Sequence, residues 1–206
     1  MMRIGVLGGS FNPAHAGHSQ IAEAFRTRLH LHQVWLLVSP GNPLKPGPDM
    51  APFARRLASA RAVANPPQVV ATGIEAALGT RFTADTMRVL QRRFPRARFV
   101  WLMGADIWTQ LPRWRRWRYL TTMVPMAVHA RPGANRAALV GQASRALRAR
   151  RQKASAAGSL ANRAAPAWLF LDLPQCDLSA TALREAGLGL QPPIMTPSPP
   201  PNRSAP

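Results

Sequence analysis

The sequence predicts an α/β protein with one domain built around an open parallel sheet. Six short apolar runs of strand length alternate with segments whose apolar residues recur at helical spacing. Strands that alternate with helices favour parallel pairing in successive β-α-β units. The chain has 206 residues, 47% of them hydrophobic and 17% charged, so it can bury one sizeable core.

The apolar runs place six expected strands along the chain. They are residues 2–7, 34–38, 68–71, 98–103, 122–129 and 168–171. The longest runs, VWLLV and FVWLM, have the length of buried strands and are too short to span a bilayer. The pattern therefore predicts no membrane segment.

Three segments between these strands show helical periodicity. They are residues 17–29, 51–64 and 83–94. In the first segment, Ile21, Phe25 and Leu29 recur close to helical spacing. The second carries Pro52 near its first turn, where proline is tolerated. The third begins at Thr83, which we expect to be its N-cap.

Two further segments differ in composition from the rest. Residues 133–163 are rich in alanine and arginine, which predicts an exposed basic helix followed by a flexible Ala/Ser/Gly linker. Residues 192–206 hold seven prolines in fifteen positions, a composition typical of disorder. We therefore expect one folded domain over residues 1–190 and a disordered tail over residues 191–206.

The charge balance is strongly basic. Lys and Arg number 27 against 8 Asp and Glu, which gives a net charge of +19, and no acidic residue lies between Asp106 and Asp172. Two interpretations stay open: a nucleic-acid partner, or an arginine-rich composition with general attraction for anions. Residues 131–163 lack the aromatic side chains that single-stranded nucleic-acid sites combine with charge. We therefore expect no specific nucleic-acid partner.

The cysteine content and the amino terminus bear on the compartment. The one cysteine, Cys176, excludes an intrachain disulfide and fits a reducing environment. The first apolar stretch is too short for a secretory signal and runs into a glycine loop. The expected location is therefore the cytoplasm.

The stretch GGSFNPAHAGH, residues 8–18, lies between the first expected strand and the first expected helix. Glycines there let a phosphate approach the backbone, and the helix start adds free N–H groups. His15 and His18 are three residues apart and can point to the same side. Two imidazoles beside a phosphate can donate hydrogen bonds that strengthen as charge builds up in a transition state. The stretch predicts a nucleotide site.

Other interpretations of this stretch stay open. The dinucleotide fingerprint GxGxxG and the P-loop GxxxxGK[ST] are both absent. A histidine pair can also ligate a metal, but no suitable carboxylate or cysteine lies near it in the sequence, so we expect no metal site in the protein. The histidines could also be purely structural.

The stretch resembles the GGxFxPxHxGH signature of the (H/T)xGH nucleotidyltransferases, a superfamily whose fold is a Rossmann-like open parallel sheet. LSATALR, residues 178–184, resembles the ISSTxxR motif of the same superfamily. MGADIWTQLPRWRRW, residues 103–117, together with SPGNPLKP and RFTADTM, is similar to segments of the bacterial nicotinate-nucleotide adenylyltransferases. The five motifs occur in order and span residues 2 to about 186.

The resemblance implies the reaction of nicotinate mononucleotide with ATP to give nicotinate adenine dinucleotide and pyrophosphate, in NAD biosynthesis. The implied catalytic residues are His15, His18 and Arg184. The implied ATP-binding residues are these three with Gly8, Gly9, Ser10, Phe11, Gly104, Asp106, Ser179 and Thr181. The implied mononucleotide-binding residues are Asn12, Lys45, Thr83, Trp114 and Arg115. Mg²⁺ is expected to be carried by ATP.

The chain departs from the family pattern in several places. Ala180 replaces the second serine of ISST, Phe82 stands where a tyrosine is common, and Arg115 stands where an aromatic residue is frequent. Arg115 could pair with the nicotinate carboxylate or point to solvent. GLGLQPPIMTPSPPP replaces the helix that usually ends the family's chains.

Alternative functions follow from the same residues. The same chemistry could act on nicotinamide mononucleotide or on another phosphate acceptor. The charge leaves open a basic nucleic-acid-binding protein. Expected partners are ATP and nicotinate mononucleotide, without a membrane, and a homo-oligomer stays possible.

Overall fold

The computed structural model describes residues 1–41 and 50–174 of the chain. Its strands are β1 Met2–Gly9, β2 Gln33–Val38, β3 Val69–Thr72, β4 Ala97–Gly104, β5 Met126–His129 and β6 Trp168–Leu171. All five neighbouring pairs are parallel, in the order β3-β2-β1-β4-β5-β6. The predicted α/β class with an open parallel sheet is therefore confirmed.

Helices connect the strands. They are α1 Ala16–Arg28, α2 Phe53–Val63, α3 Ile74–Ala77, α4 Thr83–Arg93, α5 Ala105–Gln110, α6 Trp117–Met123, α7 Asn135–Val140 and α8 Gln142–Ala146. Short 3-10 helices occupy Leu111–Arg113, Arg148–Arg150 and Ala154–Asn162. No helix of the described ranges is long and apolar enough to cross a membrane.

The strand order reverses between β1 and β4. The chain winds outward from β1 to β3, then returns to place β4 against the other side of β1, with Leu7 opposite Leu102 near their carboxyl ends. In open parallel sheets, ligands bind in the crevice outside the carboxyl ends at such a reversal. The crevice lies beside the glycines that end β1 and β4.

The sheet is buried on both faces. Along β4, Val100 and Leu102 point to the face covered by α1, whereas Trp101 and Met103 point to the opposite face, which contains α4. The apolar cluster on the α1 face includes Phe25, Leu29, Leu36 and Leu169. The cluster on the α4 face includes Met87, Leu90, Trp108, Leu120 and Trp168. Burial on both faces explains why the strands read as continuous apolar runs.

Two local predictions are wrong. Residues 122–129 do not form one strand: α6 extends to Met123, and β5 begins at Met126, after the extended residue Val124. Pro125 explains the break, since the residue before a proline is disfavoured in helical conformation. Thr83 is the first residue of α4 rather than its N-cap, and Phe82 occupies the cap position.

The basic segment also differs from its prediction. In place of one exposed helix and a flexible linker, it folds as α7, α8 and 3-10 turns. Gly141 has an extended backbone between α7 and α8. The arginines of this segment stay at the surface, whereas small residues enter the core. The buried small residues include Ala138, Ala143, Ala157 and Ala161. Ser144 adds a buried tie, because it accepts a hydrogen bond from the indole N–H of Trp108 at 2.8 Å.

Candidate active site

The loop after β1 is held from behind by a buried arginine. Arg56 of α2 is 2% exposed, and its guanidinium donates to the carbonyl oxygens of Ser10 and Ser39 at 2.7 Å each. It also donates to the carbonyls of Pro40 and Ala51 at 2.9 Å. The positive charge is thus satisfied by four carbonyls, and burial lowers the pKa of Arg56. No local motif marks Arg56 in the sequence, so sequence reasoning missed this residue.

The same loop brings His15 and His18 together at the start of α1. Their ring centroids lie 4.0 Å apart, and the backbone N–H of His15 donates to Nδ1 of His18 at 3.1 Å. A neutral imidazole that accepts at Nδ1 carries its proton on Nε2. His18 therefore has an Nε2–H available to donate to a ligand. The ring of Phe11 packs 5.0 Å from the ring of His18 and is itself buried.

The lowered pKa of each histidine favours the neutral form at pH 7. Burial is the main cause that lowers the pKa of His18 to about 4, followed by the repulsion that a proton on His18 would meet from a protonated His15 and from Arg131. Burial and then Arg131 also lower the pKa of His15. The pair therefore offers hydrogen-bond donors rather than two fixed charges in the free protein.

Among the described residues, Arg131 supplies a positive charge at this edge, and sequence reasoning missed it. It follows β5, and its Nε lies 4.0 Å from Oδ1 of Asp106. A Cβ placed on Gly104 would meet Oδ1 of Asp106 and, at 3.1 Å, the same Nε of Arg131, so a larger residue at the end of β4 would displace these two side chains. The signal that could have found Arg131 is its place just beyond the carboxyl end of a strand.

A further histidine, outside the GGSFNPAHAGH stretch, lies close to Phe25 and Arg131. His129, the last residue of β5, is 3% exposed and packs edge-on against Phe25 with ring centroids 5.8 Å apart. Among residues 1–41 and 50–174, neither of its ring nitrogens has a hydrogen-bond partner. Burial, followed by the charge of Arg131, lowers the pKa of His129 to about 4.

The opposite face of the sheet carries a cluster that we call the aromatic corner: Phe82, Trp101, Trp114 and Arg115. The ring of Trp101 lies against the end of β1, where a Cβ on Gly8 would stand only 2.7 Å from its ring carbon Cη2. Trp114 packs edge-on against Trp101, with centroids 6.0 Å apart, and is half-buried. The end of β1 and Trp114 are thus linked through Trp101, which sequence reasoning did not identify.

The structure separates the predicted site residues into groups. The β1 loop, the histidine pair, Gly104 and Asp106 share one edge of the sheet. Thr83, Trp114 and Arg115 lie on elements of the α4 face. Asn12 is buried, and its Oδ1 accepts a hydrogen bond from the backbone N–H of Ala51 at 3.1 Å, which ties the loop to the approach of α2.

Several predicted positions lie outside the described residues. They are Lys45, Ser179, Thr181 and Arg184, together with Cys176 and the tail over 191–206. Within residues 1–41 and 50–174, no group of three or more His, Cys, Asp or Glu side chains could hold a metal ion. The described carboxylate at this edge, Asp106, is exposed and faces Arg131.

Comparison with known proteins agrees with the geometry. A family model described as cytidylyltransferase-like matches residues 6–186. A protein of Gluconobacter oxydans named "Probable nicotinate-nucleotide adenylyltransferase" is 57% identical over 186 residues, covering 90% of this chain and 95% of that protein. A protein of the same name from Cereibacter sphaeroides is 52% identical, covering 90% and 98% respectively.

A solved structure extends the likeness to the fold. It is titled Plasmodium falciparum nicotinic acid mononucleotide adenylyltransferase complexed with NaAD, and it matches with a TM-score of 0.65 at 14% identity. The match covers 90% of this chain and 83% of that one. Sequence and fold thus confirm the resemblance found in the motifs. The chain belongs to the family of nicotinate-nucleotide adenylyltransferases, which are nucleotidyltransferases of the cytidylyltransferase-like group.

Proposed function

We propose that this enzyme transfers the adenylyl group of ATP to nicotinate mononucleotide, giving nicotinate adenine dinucleotide and pyrophosphate. The observation that carries the proposal is the pair of neutral imidazoles, 4.0 Å apart, at the start of α1 beside the glycine loop. The pair stands at the reversal of strand order, where parallel sheets bind nucleotides.

The chemistry asks for positioning and charge stabilisation. An oxygen of the mononucleotide phosphate forms a bond to the α-phosphorus of ATP, while the bond from that phosphorus to the bridging oxygen breaks and pyrophosphate leaves. The attacking oxygen is already anionic at pH 7, so no general base is required. The protein's contribution is alignment of the two phosphates and donors aimed at the developing charge.

The described residues suit this task on the α1 face. Nε2–H of His18 donates to an oxygen of the reacting α-phosphate, and His15 meets the same group. The free N–H groups at the start of α1 add a positive end, and Arg131 adds a full charge nearby. Because an anion favours the protonated imidazole, bound triphosphate raises the pKa of both histidines.

The remaining roles extend the proposal to both substrates. Gly8, Gly9, Ser10 and Phe11 form the loop that receives the triphosphate. Gly104 and Asp106 approach the adenosine ribose. Trp114 stacks on the pyridine ring, and Asn12, Thr83 and Arg115 line the mononucleotide side.

Positions beyond the described residues complete the proposed site. Ser179 and Thr181 offer hydroxyls to the β- and γ-phosphates, Arg184 stabilises the departing pyrophosphate, and Lys45 binds the mononucleotide phosphate. Mg²⁺ arrives on ATP and binds its phosphates, since this ion keeps several waters and prefers substrate oxygens. We also propose that the enzyme works in the cytoplasm, without a specific nucleic-acid partner, and that a homo-oligomer is compatible with the chain.

The deciding experiment supplies ATP and Mg²⁺ with one acceptor at a time and measures pyrophosphate release. The acceptors are nicotinate mononucleotide, nicotinamide mononucleotide and phosphopantetheine. We expect the highest kcat/KM with nicotinate mononucleotide and a dinucleotide product of matching mass. A preference for either other acceptor would reassign the substrate, and absence of release with all three would refute adenylyl transfer to these acceptors.

A further inference from the structure

Two departures from the family pattern are in contact. Phe82 stands where a tyrosine is common and Arg115 where an aromatic residue is frequent. In the structure, Cζ of Arg115 lies 4.7 Å from the centroid of the Phe82 ring, well within the range of a cation–π interaction. A cation resting on an aromatic ring thus stands where the family pattern would place two aromatic residues.

The Arg115 guanidinium is not neutralised within the described residues. No carboxylate there lies within 4.0 Å of it. The acidic residue of α4, Asp85, lies 3.7 Å from Arg116 and 3.8 Å from Arg88 instead. Arg81 adds another positive charge, 5.9 Å from the same Phe82 ring. This corner therefore presents excess positive charge at the surface.

The position of this charge bears on the acceptor. Arg115 directly follows Trp114, which is half-buried against Trp101 beneath the end of β1. A pyridine ring stacked on Trp114 would place its substituent within reach of the next side chain. Phe82 limits the conformations of Arg115, so less freedom is lost when a ligand binds.

We propose that Arg115 selects an acidic pyridine mononucleotide over its amide, with Phe82 as the residue that positions the guanidinium. This inference rests on the proposed function and names the source of its specificity. A carboxylate accepts two N–H bonds from the planar guanidinium fork. A carboxamide is neutral, accepts at one oxygen only, and sets its own N–H donors against those of the arginine.

The test compares Arg115→Gln with the matched control Arg116→Gln. Arg116 neighbours Arg115 but pairs with Asp85, so it should not affect the choice of acceptor. With saturating ATP, kcat/KM is measured for nicotinate mononucleotide and for nicotinamide mononucleotide. We expect Arg115→Gln to lower the value for the acid by about 10–100-fold, the loss typical of one charge-assisted hydrogen bond, and to leave the amide nearly unchanged.

Further variants separate the fork from the charge. Arg115→Lys keeps the positive charge but not the planar guanidinium. Its kcat/KM for nicotinate mononucleotide should therefore fall between the values of the parent and of Arg115→Gln. Phe82→Leu should lower kcat/KM for nicotinate mononucleotide less than Arg115→Gln does. In the double variant, Phe82→Leu should cause little further loss beyond that of Arg115→Gln. In the parent, KM for the acid should rise with salt more than in Arg115→Gln.

The outcomes distinguish this inference from the proposed function. Equal losses for both mononucleotides in Arg115→Gln would give Arg115 a structural role and overturn the inference alone. An unchanged acid value would also overturn it. If the parent transfers adenylyl to neither mononucleotide, the proposed function fails and the inference fails with it.

Discussion

The two sides of the crevice are built in different ways. On the α1 face, the loop after β1 is held by directional hydrogen bonds, chiefly from the buried Arg56 to backbone carbonyls. On the α4 face, the aromatic corner is held by the packing of Trp114 against Trp101 and by the Arg115 guanidinium over the ring of Phe82. Ring packing is less directional than hydrogen bonding. This difference explains how the aromatic corner can carry departures from the family pattern while the loop keeps its motif.

The largest expected effect tests the α1 side directly. His18→Ala removes the proposed Nε2–H donor, so we expect turnover to fall by about 10²–10³-fold with little change in melting temperature. The matched control is His32→Ala. His32 also accepts a backbone N–H, from Arg3 at 2.9 Å, but it lies at the amino end of β2. Near-normal turnover of His18→Ala would rule out the transition-state role.

The second prediction tests whether hydrogen bonding holds the loop. Arg56→Met leaves buried carbonyl oxygens without their charged donor, so we expect the free energy of unfolding to drop by about 3 kcal/mol or more. Arg55→Met is the control, since Arg55 is the adjacent but exposed arginine of α2. Urea unfolding measures both variants. Equal, small losses would mean that Arg56 does not hold the loop.

The third prediction concerns the loss of folding stability in acid. It tests whether the buried His129, which packs on the α1 face, stays uncharged there, in contrast to the charged Arg115 of the α4 face. The pKa of His129 is about 4 in the folded state and near 6.5 in the unfolded chain. Above pH 6.5 neither state takes the proton. As the pH falls from 6.5 to 4, only the unfolded state takes it up, so the free energy of unfolding decreases by up to about 3 kcal/mol from this residue.

His129→Phe should remove that share of the acid sensitivity. Urea unfolding of the parent and the variant at pH 7 and at pH 4.5 measures the change. His18 also lowers the free energy of unfolding in acid, and it does so equally in both proteins. The change between the two pH values is the quantity to read, because it cancels any packing difference made by the larger ring. An identical loss in parent and variant would contradict the role of His129.

The smallest effect on catalysis is expected far from both faces of the crevice. Arg148, Arg150 and Arg151 are exposed, and the described residues offer them no carboxylate within ion-pair distance. Changing all three to glutamine should remove weak, salt-dependent nucleic-acid binding, with a Kd of about 10⁻⁴–10⁻⁶ M at physiological salt. Pyrophosphate release should stay unchanged. A collapse of transfer in a folded variant would place this segment in the active site.

Local patterns predicted most of the sheet and part of the site. Apolar runs placed all six strands, and the spacing of His15 and His18 predicted two rings on one side. The error at residues 122–125 arose because Thr122 and Met123 suit a strand as well as the last turn of a helix. The basic segment was misjudged because alanine, counted as weakly apolar, is buried there in close helix packing.

The missed residues act over long separations in the sequence. Arg56 binds the carbonyl of Ser10 from 46 positions away. Arg131 reaches Asp106 from the end of another strand. No local motif marks such contacts, since they depend on which strands become neighbours in the sheet.

The sequence by itself determined the class of fold, the glycine loop and the chemistry of its two imidazoles, because periodicity and short motifs are properties of neighbouring residues. Only the tertiary structure decided that these imidazoles are neutral, since burial and the charge of Arg131 lower their pKa. It also decided that the guanidinium of the exposed Arg115 rests on the ring of Phe82. Both outcomes depend on desolvation and distance between elements far apart in the chain, and these are set only when the sheet assembles.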